Sequence, residues 1–380
     1  MSHSVPPVEK LDSVVQTVLT VPSEQEVPAW RRLDTYDYPL PKELIAKYPL
    51  EQRDQSRMLE LSRETGQRRH HVFYQLPDLL EAGDVIVLNN TKVLPARLFG
   101  HRLGHTGTVE LLFLHPEGAE SPTRWEVMMR PARKLKPGTV IAFDGYNATA
   151  TILEHRGEGL GVVDVSLGGL ESVEALLEAA GEMPIPPYLE REAEEGDKTA
   201  YQTVYSKKPG SQAAPTAGLH FTEAVLQRLR DKGVHVQELT LAVGMGTFKP
   251  VTSNDIADHP MHPEYYELPE ETAQCIAQAK ASGRKVYAVG TTVVKTLETA
   301  AKNQGGKLMT GESGWSRLYI YPGFDFQVVD GLLTNFHLPK STLMMLISAF
   351  AGLEPVMAAY REAVAQRYRF YSYGDCMLIR

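Results

Sequence analysis

The chain has 380 residues, with 39 Lys plus Arg against 47 Asp plus Glu for a net charge of −8, and 43% of it is hydrophobic. That composition excludes a disordered chain and a disulfide-stapled mini-protein, and leaves room for two or three domains with their own cores. Two cysteines, Cys275 and Cys376, make no disulfide framework, and no Cys/His run has zinc spacing, so a reducing cytoplasm and no metal are expected.

Residues 1–33 lack periodicity and are rich in proline and acids, which predicts a flexible extension without a basic export leader. Order is expected from Tyr36, with a short helix at Leu40–Ala46 and a buried strand, Asp84–Leu88, ending in the polar Asn89-Asn90-Thr91. Short strands follow at Thr108–Leu114, Trp125–Met129, Val140–Phe143 and Gly161–Val165, separated by glycine or proline turns. They read as a small β unit, closed by a helix at Ser172–Ala180 and the proline-rich Met183–Tyr188. Beyond it the pattern alternates again. Helices are expected at Phe221–Lys232, Glu270–Ser282 and Val293–Lys302, and strands at Val234–Val243 and Lys285–Val289. The apolar run Ser341–Leu353 falls short of the ~20 residues of a membrane span and reads as a buried helix. The expected architecture is a discontinuous α/β domain, 34–92 and 185–380, interrupted by a small inserted β domain at 93–184.

Chemistry concentrates in four places. Gly290-Thr291-Thr292 joins a strand to a helix, where free N–H groups suit an anion and where a threonine cap is the plainer alternative. Gln212–Thr222 is a small-residue loop that delivers His220 just before a helix; such a histidine either exchanges protons or serves as a structural donor. Leu333–Ser341 places hydroxyl, amide and imidazole at one helix entrance, as a site or as an elaborate cap. The tail Tyr368–Asp375 either stacks a base and holds a ribose hydroxyl through Asp375, or closes the core as a strand. Gly244-Met245-Gly246 precedes Pro250, which opposes the helix of a dinucleotide fingerprint, and prolines at 260 and 263 oppose a helical metal site at His259 and His262 beside Glu264. Arg130, Arg133, Lys134 and Lys136 are the foremost basic cluster for a nucleic acid, despite the acidic total.

Together, residues 83–98, 213–221, 244–251, 290–298, 333–341 and 368–379, in this order, resemble the S-adenosylmethionine:tRNA ribosyltransferase-isomerase family of queuosine biosynthesis. The resemblance runs from about Tyr36 to Arg380, and the fold it implies is α/β, a mixed sheet with flanking helices, interrupted by a small β-barrel-like domain at 93–184. It implies transfer and isomerisation of the ribosyl part of S-adenosylmethionine onto 7-aminomethyl-7-deazaguanine at the tRNA wobble position, giving epoxyqueuosine, adenine and methionine. S-adenosylmethionine is then a substrate, and neither metal, further cofactor nor membrane is implied; a cytoplasmic monomer is expected. Mapped onto this chain, the resemblance suggests His220, His337 and Asp375 for proton handling. Asn89, Thr91, Arg97, Thr216, Gly218, Gly246, Thr247, Gly290, Thr291, Thr292, Lys295, Thr334, Asn335 and Tyr373 are expected around the substrates, and the basic cluster on tRNA. The chain departs from the family pattern at three places, Ala242, Val294 and Lys295, the last two approximating a position that usually reads Val-Arg after a small residue at 293. Ala242 stands where histidine is expected and cannot exchange a proton, and Lys295 stands where arginine is expected and lacks its bidentate fork. The alternative these departures favour is a noncatalytic homologue that binds RNA or adenosyl ligands.

Overall fold

Burial on both faces dictates the centre of the molecule. In the computed structural model, which describes residues 27–118, 121–244 and 251–380, the apolar stretches Val85–Asn89, Val286–Val289 and Gly331–Asn335 are buried at every position and lie parallel with His235–Leu241. Around these four, the described residues form a nine-stranded mixed sheet. Its order is Glu312–Ser316, Glu264–Leu268, His235–Leu241, Val85–Asn89, Val286–Val289, Gly331–Asn335, Cys376–Ile379, Arg57–Leu61 and Arg68–Val72. Helices cover it. The helix Thr291–Asn303 buries Val293, Val294, Leu297, Ala300 and Ala301, and each large aliphatic side chain so buried contributes roughly 1.5–3 kcal/mol.

Between the first and second of these parallel strands in the chain lies a closed barrel of six strands. Its order is Leu160–Ser166, Arg124–Arg130, Thr108–Pro116, Arg97–Arg102, Val140–Ala142 and Thr149–Gly157. Its residues alternate between core and solvent, as in Arg124–Arg130, and the helix Val173–Ala180 adds Val173, Leu176 and Leu177 to its core. Val85–Asn89 and His235–Leu241 are nevertheless neighbours in the large sheet, so the chain leaves that sheet, builds the barrel and returns. The inserted β unit read from the pattern is present, and so are the mixed sheet with flanking helices and the barrel that the resemblance implies.

Some local expectations need correction. Leu40–Ala46 forms only a 3-10 turn, Lys42–Leu44, because its backbone pairs with the tail: Phe370 N–H donates to Leu44 O at 2.8 Å and Ala46 N–H to Phe370 O at 3.1 Å. The apolar run Ser341–Leu353, by contrast, does form a buried helix, Thr342–Ala351, capped by Ser341 and ended at Gly352; Leu353–Ala365 follows it at a bend of 117°, and among the described residues no single helix is long and apolar enough to cross a membrane. Of the predicted extension 1–33, residues 1–26 lie outside the described part. Residues 27–33 are docked: Arg31 Nε donates to Asp255 Oδ1 at 3.0 Å, and Trp30 stacks on Tyr321 with centroids 6.3 Å apart.

Candidate active site

The carboxyl ends of parallel strands are where an α/β sheet leaves room for ligands, since the next turn must part from its neighbours there. Here the four central strands end in Asn89, Leu241, Val289 and Asn335, and all four polar segments singled out in the sequence contribute residues beside those ends. Asn89 ties the ends together. Its amide nitrogen donates to Leu241 O at 3.0 Å and Thr292 Oγ1 at 3.3 Å, while its Oδ1 accepts from the N–H groups of Leu241 at 3.0 Å and Thr91 at 3.2 Å.

A small pocket of about 80 Å³ opens above these ends, lined by Thr216, the Gly290–Thr292 turn, Thr334, Asn335, His337, Tyr371 and Ser372 among others. Gly290 takes φ +88°, a left-handed backbone that lets the strand turn straight into the helix. Gly290 is itself the N-cap and offers no side chain, so the positive helix end faces the pocket without an internal side-chain cap. The expected threonine cap is absent: Thr291 and Thr292 occupy the first turn, and Thr292 Oγ1 accepts from Asn89. Ser341 does cap its helix, accepting from Met344 N–H at 3.3 Å, so Leu333–Ser341 combines a cap with pocket-lining groups.

His337 lines this pocket and His220 does not. The Nε2 of His337 lies 2.9 Å from Thr334 Oγ1, its backbone N–H donates to the Tyr360 hydroxyl at 2.9 Å, and its carbonyl accepts from the Tyr38 hydroxyl. His220 stands behind Asn335. Its Nδ1 lies 2.7 Å from Ser56 Oγ, its Nε2 3.3 Å from Asn335 Oδ1, and its ring packs on Phe73. Burial holds both imidazoles neutral, pushing His337 down to about 3 and His220 to about 4, the latter against the hydrogen bond His220 donates to Asn335 Oδ1.

The pocket shares Thr291, Thr292 and Leu343 with a much larger cleft of about 860 Å³. One wall of the cleft is barrel, including Met128, Arg130 and Leu160; the other is the sheet domain, including Met261, Lys295 and Trp315. Lys295 is buried and already paired, donating to Glu264 Oε2 at 2.7 Å, so an incoming anion meets a neutralised amine. Arg130 sits on the barrel wall, and Arg133, Lys134 and Lys136 are exposed just beyond it.

Other expected residues lie elsewhere. Asp375 is buried, accepting from the N–H groups of Arg57 at 2.9 Å and Arg369 at 2.8 Å, and Tyr373 donates to Asp197 Oδ1 at 3.0 Å; neither lines the pocket or the cleft. The tail is core, with Phe336 against Tyr368 and Phe370, because its aromatic rings are worth more buried than presented. Arg97 pairs with Glu110 at 3.2 Å on the barrel, and Thr91 belongs to a short ladder with Lys208–Ser211. Gly218 has a packing reason, since a Cβ there would collide with the Tyr205 hydroxyl. Gly246 and Thr247 lie outside the described residues. Sequence reasoning missed Tyr371 and Ser372, which line the pocket from the very tail in which Tyr373 and Asp375 were chosen. It also missed Glu264 as the partner of Lys295; a buried cation requires an anion, but 31 positions separate the two.

A family model described as a queuosine biosynthesis protein matches residues 33–379. A protein of Natranaerobius thermophilus named S-adenosylmethionine:tRNA ribosyltransferase-isomerase is 48% identical over 349 residues, covering 92% of this chain and 99% of that protein. One of the same name from Heliobacterium modesticaldum is 49% identical over 344 residues, covering 90% and 98%. The crystal structure of S-adenosylmethionine tRNA ribosyltransferase from Thermotoga maritima aligns with a TM-score of 0.51 at 35% identity, covering 91% of this chain and all of that one.

Proposed function

The chain belongs to the queuosine biosynthesis protein family, and we propose that it acts as an S-adenosylmethionine:tRNA ribosyltransferase-isomerase at the pocket and cleft between barrel and sheet. The observation that carries this reading is the 45–49% identity to named relatives along almost their whole length. The reaction transfers and isomerises the ribosyl moiety of S-adenosylmethionine onto 7-aminomethyl-7-deazaguanine at the wobble position of tRNA, releasing adenine and methionine. The sulfonium charge acidifies the neighbouring 5′ C–H, so removal of that proton gives an ylide-like carbanion that expels adenine. The aminomethyl nitrogen then attacks the rearranged sugar.

The small pocket shares Thr291, Thr292 and Leu343 with the larger cleft, so a substrate with one end in the pocket extends into the cleft. We assign proton handling to His337, whose neutral imidazole lines the pocket, and positioning of Asn335 to His220. The Gly290–Thr292 turn and Thr334 hold polar groups of the substrate, and the sulfonium supplies the activation for which another cofactor would otherwise be recruited. Arg130, Arg133, Lys134 and Lys136 receive the tRNA backbone.

Incubation with S-adenosylmethionine and tRNA bearing the aminomethyl base should release adenine and methionine only when both substrates are present. Binding of both without turnover at high enzyme concentration would instead identify a noncatalytic homologue, the outcome suggested by Ala242 and Lys295. Neutralising Arg133, Lys134 and Lys136 together should flatten the dependence of log Kd for tRNA on log salt by roughly 0.7–0.9 per lost phosphate contact. Affinity for S-adenosylmethionine should stay unchanged, and an unaltered slope would remove this loop from the tRNA interface.

A further inference from the structure

Trp315 is the most exposed large apolar side chain among the described residues, at 63%, whereas Trp125 is buried in the barrel. An indole left in water at that fraction gives up most of the stabilisation its burial would bring. It is not on an unrelated face. Trp315 belongs to the sheet's edge strand, Glu312–Ser316, and lines the large cleft on the wall opposite Arg130. An edge-to-face contact with Tyr265, with centroids 5.5 Å apart at 63°, orients the ring. The cleft thus has an oriented aromatic ring on one wall and a basic loop beside the other, and Arg130, Arg133, Lys134 and Lys136 form no ion pair among the described residues.

We propose that Trp315 is a stacking platform for an unpaired nucleobase of the RNA loop whose modified nucleotide enters the cleft. This deepens the functional reading above and rests on it. Stacking on an aromatic ring needs no particular base but does need one that has left its helix, while cations collect the phosphates that accompany it. An anticodon loop meets both requirements, whereas a paired stem offers the phosphates but no base that has left its helix. Trp315 therefore selects single-stranded RNA, and the pocket selects the nucleotide that reacts.

The test uses the full chain, an anticodon stem-loop carrying the aminomethyl base and a paired duplex of equal charge. Trp315→Ala should raise the KM for the stem-loop about tenfold or more, with kcat at saturation, S-adenosylmethionine affinity and melting temperature close to wild type. Trp315→Phe, which keeps a ring, should recover most of the loss. In wild type the stem-loop should quench tryptophan fluorescence more strongly than the duplex, and Trp315→Ala should abolish the difference. An unchanged KM in Trp315→Ala, or equal quenching by loop and duplex, would overturn the proposal. So would conversion of a dimer to a monomer by Trp315→Ala in sedimentation, because the ring would then serve a second copy at the sheet edge. Loop-specific quenching without adenine release would leave the platform standing and refute the catalytic reading; normal turnover without quenching would do the reverse.

Discussion

His337→Gln should lower the single-turnover rate of adenine release by about a hundredfold or more, the usual scale for a lost proton-transfer group. His220→Gln should lose far less per folded molecule. The difference follows from placement: His337 lines the pocket with its Nε2 oriented by Thr334, whereas His220 bridges Ser56 and Asn335 from behind. Glutamine retains one hydrogen-bonding group at either place, so affinity for S-adenosylmethionine should change only severalfold. Near-normal turnover in His337→Gln with a large loss in His220→Gln would reverse the assignment, and near-normal turnover in both would remove histidine from the proton transfer.

Acid gives a separate readout of the same two residues. Each has an ordinary value of 6.5 and a folded value of about 3 or 4, so between those limits the unfolded chain binds a proton that the folded chain refuses. Unfolding is favoured wherever the unfolded state binds more protons. Stability is therefore retained above pH 6.5 and drains as pH falls toward 4, by roughly 1.4 kcal/mol per pH unit for each histidine. Urea unfolding at a series of pH values should show a shallower acid loss in His337→Gln than in wild type. An identical slope would mean that this imidazole is not held neutral by burial.

Lys295→Met should destabilise the protein by more than about 1 kcal/mol, because it removes the cation from an ion pair in which both partners are almost wholly buried. Glu264 also accepts from Gly244 N–H at 3.2 Å. Adding Glu264→Leu to Lys295→Met should recover much of the loss, since two apolar side chains bury no charge. Lys295→Arg should keep the fold, its fork having room for the carboxylate and one further acceptor in the cleft. Denaturant midpoints for the three variants beside wild type decide the matter. A loss below about 1 kcal/mol in Lys295→Met would show that the pair is hydrated and open to substrate.

Local chemistry made much of this molecule legible in one dimension. The alternation at Arg124–Arg130 and the all-apolar Val286–Val289 are properties of neighbouring residues, and they determined the inserted β unit and the central sheet. The polar clusters at Asn89, Gly290 and Thr334–His337 were legible for the same reason, each following an apolar strand. Which member of a cluster faces the pocket was decided only by tertiary packing. His220 and His337 look equivalent as letters, yet one is covered by Asn335 and the other opens on the cavity. Tyr371 and Ser372 line it while Tyr373 and Asp375, two places on, are consumed by Asp197 and by backbone N–H groups. The Lys295–Glu264 pair and the cleft bounded by Arg130 and Trp315 join residues far apart in the chain. Their contact depends on how the barrel and the sheet meet, and sequence spacing carries no measure of that.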